Sequence, residues 1–236
     1  MPRDTHLDFL RFAAVCGLAG AILFTVAWVV TTIFEDGYDA LRQDISDLGA
    51  LTASHPLPYN IALSLSGALL AVFGIGMLVA LGRGLTARLG AFAVIVYGAG
   101  DFLDGLLRED CSPSGSAICR EALDAGQLSW HHEAHDIESA FTIAAMILAP
   151  LLLAFAFRQR DGWRDLFAWS LATAAIAFIA IAWYAVLYVT QDGSAYSGLL
   201  QRTLIAASTA WVVLVSWRLY ATAGSEAQER GGANGG

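Results

Sequence analysis

The sequence predicts an all-α integral membrane protein, a six-transmembrane-helix bundle with both termini cytoplasmic, on three observations. Of its 236 residues 57% are hydrophobic and 14% charged, against about 45–50% apolar and 25% charged in an average soluble domain. The windows 12–34 and 166–191 hold no Asp, Glu, Lys, Arg or His, whereas a soluble helix alternates an apolar stripe with charge. All 13 basic side chains are arginines. Arg3, Arg11, Arg83, Arg88, Arg158, Arg160, Arg164, Arg218 and Arg230 fall on one side of the predicted spans, and only Arg42, Arg108, Arg120 and Arg202 on the other. That bias places both ends of the chain inside.

A span needs about 20 apolar residues, and six segments qualify: 12–34, 59–81, 86–107, 135–157, 165–189 and 199–221. The first is too long for a cleavable signal core and is expected to stay. In the loop that follows, Tyr38, Leu41, Ile45 and Leu48 recur at helical spacing and predict a short interfacial helix. Pro56 and Pro58 close that loop, and Asn60 opens the second span, where a buried amide must find partners. Gly74 and Gly76 within it let a neighbouring helix approach closely. The third span carries Asp101 and Asp104 near its outer end. The next loop holds Cys111 and Cys119 around a turn-forming Ser112–Ser116 stretch, compatible with a disulfide on an oxidising face or with two free thiols. The fourth span is entered through the most polar run in the chain, Trp130 to Glu138. A short outer loop, Gln191 to Ser197, separates the last two spans. Residues 1–222 form one membrane domain, and 223–236, rich in Gly, Ala and Glu, read as a disordered cytoplasmic tail.

The net charge of −8 resides on the outer loops, and no basic stripe exists for a nucleic-acid backbone. The absence of lysine excludes chemistry that needs a lysine Schiff base. No cofactor is favoured. The six tryptophans outside the polar entrance read as interface belts and helix packing.

At about 1.5 Å per residue, Asp101, Asp104, His135, Glu138 and Arg202 converge at similar depth near the outer interface. Ionisable groups there are costly unless they face a cavity or each other, so they are expected to share an outward-opening pocket. His131 and His135 lie one turn apart, with Glu138 further along the same stripe. Two histidines so spaced can ligate zinc, completed by Asp101, Asp104 or His55, or can simply hydrogen-bond at the interface. The run His132–His135 is one residue short of the zinc-protease motif. Asp47, with Ser46 beside it, offers a proton donor or acceptor over the pocket mouth; its plainer account is a helix end closed by Gly49. The plainer accounts of Asp101 and Asp104 with Arg108, and of Arg202, are a structural ion pair and snorkelling.

The run Ile45-Ser46-Asp47-Leu48-Gly49-Ala50, Asn60, the Gly/Asp-rich exit of the third span, His135 before Ala140-Phe141, and Gly198-Leu199-Leu200-Gln201-Arg202 resemble the bacterial and archaeal membrane proteins called domain of unknown function 998. The resemblance implies a six-span fold and no established activity. It singles out Ser46, Asp47, Asn60, His135, Gln201 and Arg202, and leaves His131, His132 and Glu138 outside the pattern.

Together these readings lead to an expected membrane enzyme acting on an isoprenoid or acyl lipid by acid–base chemistry, through cyclisation or hydrolysis. Asp47, Asp101, Asp104, His135 and Glu138 are its candidate proton-transfer groups, and Ser46, Asn60, Gln201 and Arg202 its candidate substrate contacts, with Arg202 anchoring an anionic group. The alternative is a non-catalytic membrane protein that binds a lipid or a partner protein, and the third reading a proton-coupled transporter.

Overall fold

Six helices long and apolar enough to cross a bilayer make up the frame of the molecule. The computed structural model describes residues 3–189 and 196–233, with side chains over 5–187 and 196–224. The spans are α1 (Arg3–Phe34), α2 (Pro56–Leu81), α3 (Leu85–Asp104), α5 (Trp130–Arg158), α6 (Leu166–Val189) and α7 (Ser197–Ala233), and a short α4 (Ala117–Asp124) sits in the second long loop. No strand occurs among the described residues. The chain is thus an all-helical, multi-pass membrane protein.

Three boundaries differ from expectation: α1 begins at Arg3, nine residues early, and two others shift for local reasons. α5 starts at Trp130, five residues early, because Asp110 accepts both the backbone N–H of Ser129 (2.5 Å) and its hydroxyl (2.8 Å). That caps the helix from outside. α7 continues to Ala233, through most of the segment that composition assigns to a disordered tail. Extending a formed helix needs no new nucleus, and Glu226, Ala227, Gln228 and Arg230 are good helix formers. Residues 190–195, which hold most of the expected last loop, and 234–236 lie outside the described residues.

The spans form a closed ring. Each packs on its sequence neighbours, α1 on α2, α2 on α3, α3 on α5, α5 on α6, α6 on α7, and α7 returns to α1. The short connections from α2 to α3, α5 to α6 and α6 to α7 enforce part of that order, since a turn of a few residues joins adjacent antiparallel helices. Gly224 of α7 lies beside Arg11 of α1, so both ends of the chain approach the same end of the ring. Toward that end the ring is filled: Phe73 and Met77 of α2, Leu153 and Phe157 of α5, and Val215 and Leu219 of α7 are fully or almost fully buried. The outward faces are apolar as well, with Ile22, Ile33, Phe141 and Ile179 all exposed, as lipid-facing surface requires. Trp211 is buried and donates to Ser170 Oγ at 2.8 Å, whereas Trp169, Trp183 and Trp217 face outward.

Without a hydrophobic difference between lipid and helix, association relies on close contact of small residues. Gly67 of α2 and Gly98 of α3 do this most tightly, since a Cβ on either would overlap the backbone of the other helix. Gly74 meets Ile95 of α3 and Gly76 meets Ala13 of α1. Two residues apart on a helix, these glycines lie on opposite faces, so α2 seats a neighbour on each side.

The loop 35–55 is not an interfacial helix. Only Ser46–Gly49 is helical, as a single 3-10 turn. Ile45 and Leu48 are 1% and 0% exposed and point into the ring rather than toward lipid. The loop folds inward because six groups tie its backbone. Asn60 Nδ2 donates to Gly49 O at 2.9 Å, and the Gln201 carbonyl accepts from Ile45 N–H. Ser197 donates to Arg42 O, and Leu199 N–H donates to Leu41 O at 3.1 Å. Arg202 donates to Gln43 O at 2.8 Å and to Tyr38 Oη at 2.5 Å, and Tyr38 in turn donates to Asp44 O at 2.6 Å.

Candidate functional site

At the end opposite the chain termini the ring is hollow. A cavity of about 850 Å³ lies between α3, α5, α6 and α7 and beneath the inward loop, floored by Phe24, Ile143, Met146, Ile181, Leu204 and Ile205. Its upper wall carries Asp44, Ser46, Asp47, Asp101, Asp104, Glu109 and His135. The volume falls within the roughly 300–1,000 Å³ of small-molecule sites.

His135 is the best-connected of these groups. Its Nδ1 lies 3.0 Å from Asp104 Oδ1 and 3.0 Å from Leu107 O. Both neighbours only accept, so Nδ1 carries the proton. The other nitrogen, Nε2, lies 3.7 Å from Glu109 Oε1, beyond hydrogen-bond distance. A carboxylate that holds the tautomer and leaves Nε2 toward a cavity is the arrangement in which an imidazole works as a base. Glu109 is 6% exposed, its Oε2 has no hydrogen-bond partner, and burial pushes its carboxyl well above the usual range.

The inward loop contributes a second pair. Asp47 accepts from Asp44 N–H at 3.0 Å and from the Ser114 hydroxyl, yet burial still raises its carboxyl. Asp44 accepts from Tyr184 of α6 at 2.8 Å. Burial first, then the neighbouring Asp47 charge, push it up to about 7. Cys111 and Cys119 are joined in a disulfide, which closes the short loop that presents Ser114.

Asp101 lines the cavity and is 5% exposed, with Oδ2 unpartnered. Glu138 stands behind the wall. It accepts from the Thr142 hydroxyl of its own helix, in room left by Gly100 of α3. Asn60 and Arg202 are not on the cavity surface, and Gln201, which is, has its carbonyl occupied by the loop. Arg202 is therefore a strut and not an anion anchor. Its guanidinium is clasped by backbone carbonyls and lies over the Trp28 and Tyr38 rings at 5.8 and 5.4 Å. Asp104 pairs with His135 rather than with Arg108, which is exposed.

The His131–His135 pair does not form a metal site. His131 projects from the first turn of α5, exposed, and stacks on Trp130 with ring centroids 3.7 Å apart. Two other groups bring donor atoms within 4.8 Å of one another, Asp104 with His135 and Glu138, and Glu109 with His132 and Asp136. In the second, His132 Nδ1 accepts from Asp110 N–H at 3.2 Å. Its buried Nε2 must then carry the proton, which suits a hydrogen-bond donor better than a ligand. In the first, His135 already spends its Nδ1–H on Asp104 and Leu107. His55 belongs to neither group.

Asp44, Glu109 and Tyr184 are not among the residues that the sequence singles out, whereas His132 is marked by its position alone. Asp44 lies in the same short motif as Asp47, and Glu109 five residues beyond Asp104. Tyr184 looks like any interfacial tyrosine until the loop descends on it.

A family model described as Protein of unknown function (DUF998) matches residues 18–218. No curated protein matches, and no solved structure matches.

Proposed function

The chain belongs to the DUF998 family, and on that premise we propose that it is a membrane enzyme processing a lipid-phase amphiphile by acid–base chemistry, with the cavity opening to the outer leaflet. The observation that carries this reading is the Asp104–His135–Glu109 alignment on the wall of an apolar-floored cavity. Asp104 and Leu107 O hold His135 Nδ1–H, so Nε2 is free to take a proton from substrate or water. Glu109, kept protonated by burial, is placed to return one. Arginine bias supports the outward orientation.

The test is lipidomic. Protein in nanodiscs is incubated with total lipid extract from the cells that produce it, and product formation is compared with His135→Asn and Asp104→Asn. A species formed by the wild type should fall by about 100- to 10,000-fold in either variant, while both variants elute as monodisperse protein. Identical lipid profiles for wild type and His135→Asn would replace the enzyme by a lipid-binding protein. That second reading draws support from Asn60, Gln201 and Arg202, whose polar groups hold the loop.

A further inference from the structure

We propose that the cavity takes a single-chain amphiphile whose head is positively charged, a protonated amine or a quaternary ammonium, seated between Asp101 and Glu109 with its chain along the apolar floor. The inference rests on the reading of the cavity as a lipid-phase site and goes further by specifying the head group.

The charge of the wall decides the class. Seven carboxyl side chains line the cavity against one arginine, Arg120, and two histidines, His132 and His135, of which His135 lies against Asp104 and Glu109. Arg120 belongs to the second loop and is exposed at the rim, where its Nε donates to Pro113 O at 3.2 Å. Arg202 donates to Gln43 O, Gly198 O and Tyr38 Oη and faces the back of the loop. A phosphate or carboxylate head would therefore meet like charge on the inner wall and no arginine there to pair with it.

The second, independent observation is unmet demand for a cation. Asp101 and Glu109 are 5% and 6% exposed, both line the cavity, and Asp101 Oδ2 and Glu109 Oε2 accept no hydrogen bond. A buried carboxylate oxygen left without a partner is costly. Burial holds the carboxyl of Glu109 protonated in the empty cavity; an ammonium head supplies the countercharge that lets it ionise, whereas a neutral hydroxyl satisfies one oxygen and supplies none. The rings of Tyr59 and Tyr184, also on the wall, add faces that favour a cation. Below the head, Ile143, Met146, Ile181, Leu204 and Ile205 offer nothing but apolar contact, which suits an alkyl chain.

The experiment compares three sixteen-carbon probes on the full chain in phosphatidylcholine nanodiscs at pH 7 with EDTA present. They are radiolabelled hexadecyltrimethylammonium, hexadecanol and hexadecanoate, each corrected for uptake by empty nanodiscs. The ammonium should bind the wild type at least about tenfold more tightly than the alcohol, with hexadecanoate weakest, a difference of about 1.4 kcal/mol. Asp101→Asn and Glu109→Gln should each erase that preference. If hexadecanol or hexadecanoate binds the wild type as tightly as the ammonium, the head-group assignment is wrong while the lipid-phase site stands. If none of the three binds, both fall. The wild-type comparison decides even where a variant does not fold.

Discussion

At the scale of single residues, the site depends on which atoms are already occupied. His135 leaves Nε2 without a hydrogen bond to Asp104 or Leu107 because those two neighbours take its Nδ1–H. Arg202 stays off the cavity surface because carbonyls take its guanidinium. Spacing and depth brought Asp101, Asp104 and His135 to one cavity but could not say that Glu138 turns back to Thr142, since side-chain direction is set by the Gly100 gap on another helix. Asp44 permits a test with a definite sign. Its folded-state carboxyl titrates near 7, far above the unfolded value of about 3.9. A raised carboxyl is neutral at no cost below the unfolded value, and its penalty grows as pH rises from about 4 to 7. Asp44→Asn, which keeps an acceptor for Tyr184, should therefore leave thermal stability nearly unchanged at pH 4 and raise it by about 4 kcal/mol at pH 8. Melting curves in detergent at the two pH values check this; an equal gain at both would assign the effect to packing.

At the scale of elements, the inward loop is the feature that converts a bundle into a site. Its periodic apolar residues are those of an interfacial helix, and nothing local distinguishes the two outcomes. What decides is the set of ties from α2 and α7, Asn60 to Gly49 O and Gln201, Arg202 and Ser197 to the segment 38–45. Asn60→Ala removes one tie and orphans a carbonyl. It should cost about 1–2 kcal/mol and render the loop sensitive to limited proteolysis, whereas an unchanged digestion pattern would show the remaining ties suffice. The α2–α3 contact has no slack at all. Gly98→Ala places a methyl on the Gly67 and Ala71 backbone and should cost about 1–3 kcal/mol by overpacking, read as a lower melting temperature. An unaffected melt would mean the helices separate freely there.

At the scale of the whole molecule, the closed ring explains why one end is solid and the other hollow. Bulky side chains from α2, α5 and α7 meet on the axis toward the termini. Toward the other end the helices present Asp, His and Thr, which do not fill space as Phe and Leu do, and the loop descends partway into the gap. On the arginine bias the hollow end is expected to face outside. Leu41→Cys in the inward loop and Asp161→Cys in the opposite loop, both exposed positions, test that sidedness. An impermeant maleimide should label the first in intact cells and the second only after permeabilisation; the converse pattern would invert the topology and point the cavity inward.

The amino-acid sequence alone determined the all-helical class, the number of spans and the family, because each is written locally. A twenty-residue apolar stretch has one way to satisfy its backbone in lipid, and short motifs in a set order suffice for kinship. The tertiary structure decided the rest: that the loop dips, that Glu109 and Asp44 join the wall, and that Asn60 and Arg202 are struts. Those outcomes depend on which hydrogen-bond partner a side chain meets across the ring, and partners 140 to 164 residues apart, as with Tyr184 and Asp44 or Arg202 and Tyr38, leave no periodicity to read.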